Sequence, residues 1–164
     1  MNKETLLLTI LGITIALVIG FFLLPNSSSK EVRRTLAFSR TKIWERIRDI
    51  ENQTSWRKEL VKVEFVDRKK EIWKEQNQFG QEFTFQTTKI EPESFWAMES
   101  VNNTDFHTSW TGQLVAVDAK TTELVFRETF EIKTTKGKLI FYLFINLEKL
   151  IQKYIDDLES SLKG

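Results

Sequence analysis

Apolar and polar positions divide the chain into three regions. Leu6 to Leu24 (LLLTILGITIALVIGFFLL) is a run of 19 residues without a charge, with Thr9 and Thr14 as its only hydroxyls. A helix built from it is apolar on every face, unlike the one-sided stripe of a soluble surface helix. At 1.5 Å per residue it spans a hydrocarbon core of roughly 30 Å. Lys3 and Glu4 precede it, and Pro25 and Asn26 stop it. A cleaved signal peptide is the competing reading, with Ser27 and Ser29 as small residues of a weak cleavage site. The run is longer than the usual apolar region of roughly 7–15 residues, and the segment before it is barely basic. The expectation is a membrane anchor over 6–24, a short polar linker over 25–30 (PNSSSK) and a folded domain over 31–164.

The middle of the chain has period two. Glu31 to Phe38 reads as a strand. Ser39 or Thr41 can cap a short helix over Lys42 to Ile50, with Ile43, Trp44 and Ile47 turned inward. Asn52 to Ser55 is a polar break before Trp56. Val61, Val63 and Phe65 then alternate with Lys62 and Glu64; Trp73 lies between charges; Phe83 and Phe85 alternate with polar neighbours. Pro92 and the Asn102–Asp105 cluster mark turns. Ser94 to Val101, Phe106 to Val117 and Thr122 to Lys133 complete about seven antiparallel strands.

The end of the chain changes period. From Gly137 to Leu162 there is no proline and no further glycine, and Leu139, Leu143, Leu147, Leu150, Tyr154 and Leu158 recur at helical steps. One continuous helix here would be roughly 39 Å long. From Leu139 to Leu147 it is apolar nearly all round, which predicts burial on more than one side or docking against a membrane. The fold class is α+β: a curved antiparallel sheet around a long C-terminal helix, plus the N-terminal apolar helix.

Charge and composition narrow the function classes. Lys and Arg total 24 and Asp and Glu total 23, a balance that argues against a dedicated nucleic-acid binder. There is no cysteine, so no disulfide, thiolate nucleophile or cysteine metal site. The chain carries 13 Phe and 5 Trp, and only Phe21 and Phe22 lie in the apolar run, so the domain is rich in large flat side chains. Lys30, Arg33, Arg34, Arg40 and Lys42 follow the run while only Lys3 precedes it, which predicts a cytoplasmic domain. Nothing in the sequence predicts oligomeric state.

No catalytic signature is present: no nucleophile elbow, zinc motif, phosphate loop or dinucleotide fingerprint, and no cofactor is implied. Gly137, between two lysines, reads as a turn. The single histidine, His107, excludes a histidine-rich metal site and reads as a polar strand residue despite Asp105 nearby. The adjacent pair Asp156 and Asp157 point about 100° apart on a helix and read as a solvated face. Glu128 differs. It lies on the apolar face of Leu124, Phe126, Phe130 and Ile132, while the other face carries Glu123, Arg127 and Glu131. Its hairpin partner offers Trp110, Gly112, Leu114 and Ala116. A five-residue connection, Val117 to Thr121, puts both apolar sets on one side with Trp110 opposite Glu128. The alternatives for Glu128 are an ordinary paired or wet carboxylate and a ligand contact.

The order of these elements resembles the SRPBCC superfamily, the helix-grip group that includes START domains and polyketide cyclases. The matching residues are Ser39-x-x-x-Ile43-Trp44-x-x-Ile47-x-Asp49, Trp56 before Val61-x-Val63, Trp110-x-Gly112, the strand Thr122–Ile132, and the terminal helix ending Leu158-x-x-x-Leu162. The proline often found before the short helix in that group is missing. The resemblance implies a cavity between sheet and helix and carries over no catalytic set. Together with strand alternation it predicts a ligand site lined by Trp73, Phe83, Phe85, Trp110, Phe126 and Phe130, with Glu128 as its polar group. The leading expectation is a carrier or binding domain for an apolar small molecule, attached to the lipid bilayer through Leu6–Leu24. A cyclase- or hydratase-like enzyme using Glu128, and a structural membrane protein whose cavity is filled by its own side chains, are the alternatives.

Overall fold

The computed structural model describes residues 2–164. Helix α1 (Lys3–Leu23) begins where the Asn2 side chain accepts a hydrogen bond from the Thr5 amide at 2.8 Å. None of its residues is buried, and it is long and apolar enough to cross a membrane.

Strand β1 (Ser27–Leu36) starts four residues earlier than expected, so most of the anticipated linker is sheet. Ser27 to Lys30 pair with Glu131 to Glu128, and only Leu24 to Asn26 separate α1 from the sheet. Polar composition hid this strand, because its stabilisation is cross-strand. The Ser29 and Thr129 hydroxyls share a 2.9 Å hydrogen bond, and the Ile132 amide donates to the Asn26 carbonyl at 2.7 Å.

Helix α2 (Arg40–Arg48) is capped by Ser39 and buries Ile43 and Ile47. A 3-10 turn (Ile50–Ser55) leads into β2 (Leu60–Asp67), β3 (Ile72–Asn77), β4 (Glu82–Glu91), β5 (Phe95–Val101), β6 (Phe106–Asp118) and β7 (Thr121–Ile132). The seven strands form one open antiparallel sheet in the order β1-β7-β6-β5-β4-β3-β2. The first strand thus pairs with the last.

Bulges set which residues face inward. A register shift between Leu60 and Lys62 turns Leu60 into the core and leaves Val61 exposed, against the simple alternation expected there. A second shift between Ala116 and Asp118 lets a two-residue connection, Ala119–Lys120, keep the register anticipated for a longer one, and Trp110 lies opposite Glu128.

The C-terminal segment is two helices. Helix α3 (Thr135–Phe144) stops at Ile145, whose backbone is extended, and α4 (Leu147–Lys163) restarts with the Asn146 side chain accepting from the Lys149 amide at 3.0 Å. The break divides the expected apolar face. Leu147, Ile151, Ile155, Leu158 and Leu162 of α4 are buried, while Leu139, Leu143 and Leu150 are exposed. Gly137 lies inside α3 rather than in a turn: a Cβ there would sit 2.6 Å from the Asp105 carbonyl oxygen, so the missing side chain lets α3 press against the β5–β6 connection. Asp105 also accepts from the Thr134 hydroxyl at 2.6 Å and from Lys136 at 2.9 Å, which makes it an anchor for α3 rather than a partner of His107. His107 faces Glu99, with Nε2 3.6 Å from its carboxylate.

Two apolar clusters result. The larger joins α2, α4 and the sheet through Leu36, Ile43, Trp73, Trp96, Trp110, Leu124, Phe126, Ile155 and Leu158. The smaller, at the α3 end of the sheet, contains Phe106, Ile132, Phe141 and Leu147, with Phe130 against it.

Candidate functional site

Glu128 reaches the interior because β7 alternates around Phe126, which is fully buried. Lys30, its neighbour on β1, is exposed. Among the described residues the Glu128 carboxyl has no ion-pair or hydrogen-bond partner. Burial pushes its pKa up to about 8; Glu75 adds to the rise and Arg57 opposes it. By surface area Glu128 is only half-buried, although protein surrounds it, so its carboxyl borders space that a water molecule can enter.

Tyr154 of α4 has the same character. Its ring packs on Trp56, Trp110 and Phe126, with centroids 5.3, 6.1 and 5.8 Å away. Its hydroxyl has no hydrogen-bond partner among the described residues, and burial raises its pKa. Tyr154 was legible as part of a helix face but not as a polar group aimed inward.

Beside these two lies a partly buried ionic network that the sequence did not reveal. Arg57 donates to Gln53 at 2.8 Å, to Glu59 at 2.8 Å and to Glu75 at 3.0 Å, and its guanidinium lies 5.3 Å from the Tyr154 ring centre. The Trp73 indole also donates to Glu75 at 3.0 Å. Lys153 bridges Glu59 at 2.8 Å and Asp157 at 2.6 Å. Burial would raise the Glu59 pKa, but Arg57 and the hydrogen bond from Lys153 outweigh it and hold the group at about 2. Asp157 is buried in this network, so only Asp156 of the aspartate pair lies on the solvated face. Residues from the 3-10 turn, the connection before β2, β3 and α4 meet here, and no local spacing links those three stretches of chain to one another.

The expected lining residues divide into three groups. Trp73, Trp110 and Phe126 are buried and, with Trp96, form a packed chain: Trp73–Trp96 5.7 Å, Trp96–Trp110 5.5 Å and Trp110–Phe126 5.0 Å between centroids. They fill the interior as much as they line it. Phe85 and Phe83 continue the series along β4, half-buried. Phe130 belongs to the other cluster, against Phe106 and Phe141 at 5.5 and 5.6 Å. Gly112 allows the Trp110 indole to lie across the strand, since a Cβ there would be 2.3 Å from the ring. Two open surface hollows lie elsewhere. One of about 290 Å³ sits between Phe83 and the Ser100–Asp105 turn. One of about 230 Å³ lies among Phe22, Asn26, Lys133 and Lys138.

No protein-family profile matches the sequence, and no curated protein matches it either. Solved structures do. The Zhui aromatase/cyclase from Streptomyces superposes with a TM-score of 0.70 at 14% identity, covering 84% of this chain and 94% of its own. Norcoclaurine synthase from Thalictrum flavum, in complex with dopamine and hydroxybenzaldehyde, gives 0.66 at 11% identity, covering 83% and 86%. The chain has the helix-grip fold. At these identities the likeness extends to the fold alone. Within the helix-grip frame, Glu128 and Tyr154 occupy facing layers, the last strand and the terminal helix.

Proposed function

We propose that this protein is a membrane-anchored helix-grip domain that binds an apolar or amphipathic small molecule between the sheet and α4. The observation that carries the reading is the pairing of two unpartnered polar groups, the Glu128 carboxyl and the Tyr154 hydroxyl, with an aromatic interior. Both residues are half-buried, and a ligand oxygen or a water molecule entering the space beside them would partner these groups. A carboxyl that holds its proton near neutral pH donates to such an oxygen. The α1 anchor would keep the domain beside lipid-soluble molecules. The solved neighbours lend support by analogy, since their names describe small-molecule chemistry on this fold.

A second reading, in which Glu128 acts as a general acid or base on a bound substrate, is favoured by its pKa of about 8, close to the operating pH of such groups.

The test is organic extraction of the full chain purified in detergent, with mass spectrometry of the extract, and titration with an apolar fluorescent dye. Copurifying ligand, or dye binding lost in Phe126→Trp with folding retained, supports the binding reading. No extractable ligand and no dye binding, with Phe126→Trp destabilising the fold by about 1–3 kcal/mol, means that the aromatic side chains fill the interior and refutes it. Turnover of a small carbonyl substrate abolished by Glu128→Gln would select the second reading.

A further inference from the structure

We propose that α3 is a second membrane contact, an interfacial helix that lies on the bilayer surface and fixes the domain against it; the proposal rests on the reading of α1 as a membrane span. Helix α3 leaves an apolar face uncovered. Leu139 is 50% exposed, Leu143 63% and Phe144 79%. Its opposite side is in place already, with Gly137 against Asp105 and Phe141 in the smaller core cluster.

What covers the exposed face is indicated by its continuity with α1. Lys138 is buried because its ammonium donates to the Leu24 carbonyl at 2.7 Å and the Phe22 carbonyl at 3.3 Å, capping the end of α1. One turn later the Tyr142 hydroxyl donates to the Pro25 carbonyl at 2.8 Å. These two residues form one stripe of α3, and Leu139 and Leu143 form the next stripe round. If Leu6–Leu24 fills the hydrocarbon core, Leu24 and Pro25 lie at its boundary, and α3 is hydrogen-bonded to that boundary. Lysine and tyrosine are residues that suit this depth, with apolar bodies and polar tips. An interfacial helix sinks its apolar face roughly 5–10 Å into the headgroup and acyl boundary, enough to cover Leu139, Leu143 and Phe144. Only three residues separate α1 from β1, so the domain has little freedom to swing away.

The chain has no cysteine, so single cysteines can be introduced without removing any. Leu143→Cys, Ile13→Cys and Val117→Cys, each in the full chain, would carry a small environment-sensitive fluorophore. They would be reconstituted into phosphatidylcholine–phosphatidylglycerol vesicles containing two lipids, one spin-labelled near the headgroup end of its acyl chain and one near the tail end, which reach sites 143 and 13 respectively. Val117 is exposed and lies near the other end of β7, roughly 35–40 Å from Ile132 at 3.4 Å per residue. The expected result is quenching at site 143 at least half that at site 13 and several-fold above that at site 117. Quenching at site 13 with site 143 no different from site 117 would overturn the proposal and leave the anchor standing. No quenching at any of the three sites would overturn both. Disulfide crosslinking through site 143 between two copies, without lipid quenching, would assign the face to self-association and overturn it as well.

Discussion

Replacing Glu128 by glutamine should remove a pH dependence that the desolvated carboxyl imposes on the fold. The folded-state pKa is raised from 4.5 to about 8. Below pH 4.5 the carboxyl is protonated in both folded and unfolded chains, and it costs the fold little. Above pH 4.5 the unfolded chain ionises while the folded one retains its proton, so stability is lost as pH rises. The loss runs at about 1.4 kcal/mol per pH unit and stops once pH passes the folded value near 8. Over that interval it amounts to at most about 5 kcal/mol, and to less where water reaches the half-buried carboxyl. Glutamine keeps the shape and cannot ionise. The assay is urea denaturation of the full chain and of Glu128→Gln in the same detergent micelles, followed by tryptophan fluorescence from pH 4.5 to 9. Other titrating groups are common to both proteins and cancel in the difference. The variant should match the parent near pH 4.5, gain on it steadily to about pH 8, and hold its advantage above that. A difference constant with pH would refute the argument, because it would place Glu128 in water or beside a cation in the folded state.

Arg57→Met should destabilise the fold by about 3–5 kcal/mol in urea melts at pH 7, because it leaves Glu75 buried without its cation. Gly112→Ala should cost about 1–3 kcal/mol, since the new methyl meets a Trp110 ring that Trp96, Phe126 and Tyr154 hold in place; an unchanged melting midpoint would show that the ring can move. Alkaline carbonate washing of membranes should leave the chain in the pellet, and its release into the supernatant would contradict the reading of α1 as a span.

Patterns of neighbours along the chain were enough for the element types and their order. Period-two alternation marked the strands, and the buried face of β7 identified Glu128 as the one carboxylate among apolar side chains. The pairing of Trp110 with Glu128 was also legible, because only one register puts both apolar sets on the same side. Two of the misread local features have a plain cause. The serines of β1 looked like a linker, since strand pairing rather than side-chain hydrophobicity orders them. The helix break at Ile145 and Asn146 was hidden because no proline or glycine marks it. Asn146 is nevertheless an ordinary capping residue, followed at once by an acidic first turn.

By itself, then, the sequence determined an apolar helix long enough to cross a bilayer, an antiparallel sheet of about seven strands, a helical C-terminus and one carboxylate on the apolar face of the last strand. Each of these follows from periodicity or from a run of like residues, which are properties of adjacent positions. Tertiary structure alone decided that Arg57, Gln53, Glu59, Glu75 and Lys153 share one network that runs from the buried Glu75 out to the exposed Lys153. It also decided that the aromatic residues pack against one another rather than ring an open space, and that α3 ties itself to the end of α1. These are contacts between segments far apart in the chain. They depend on where bulges shift a strand, where a helix restarts and which edges of a sheet meet, and no local pattern of hydrophobic and polar residues encodes those distances.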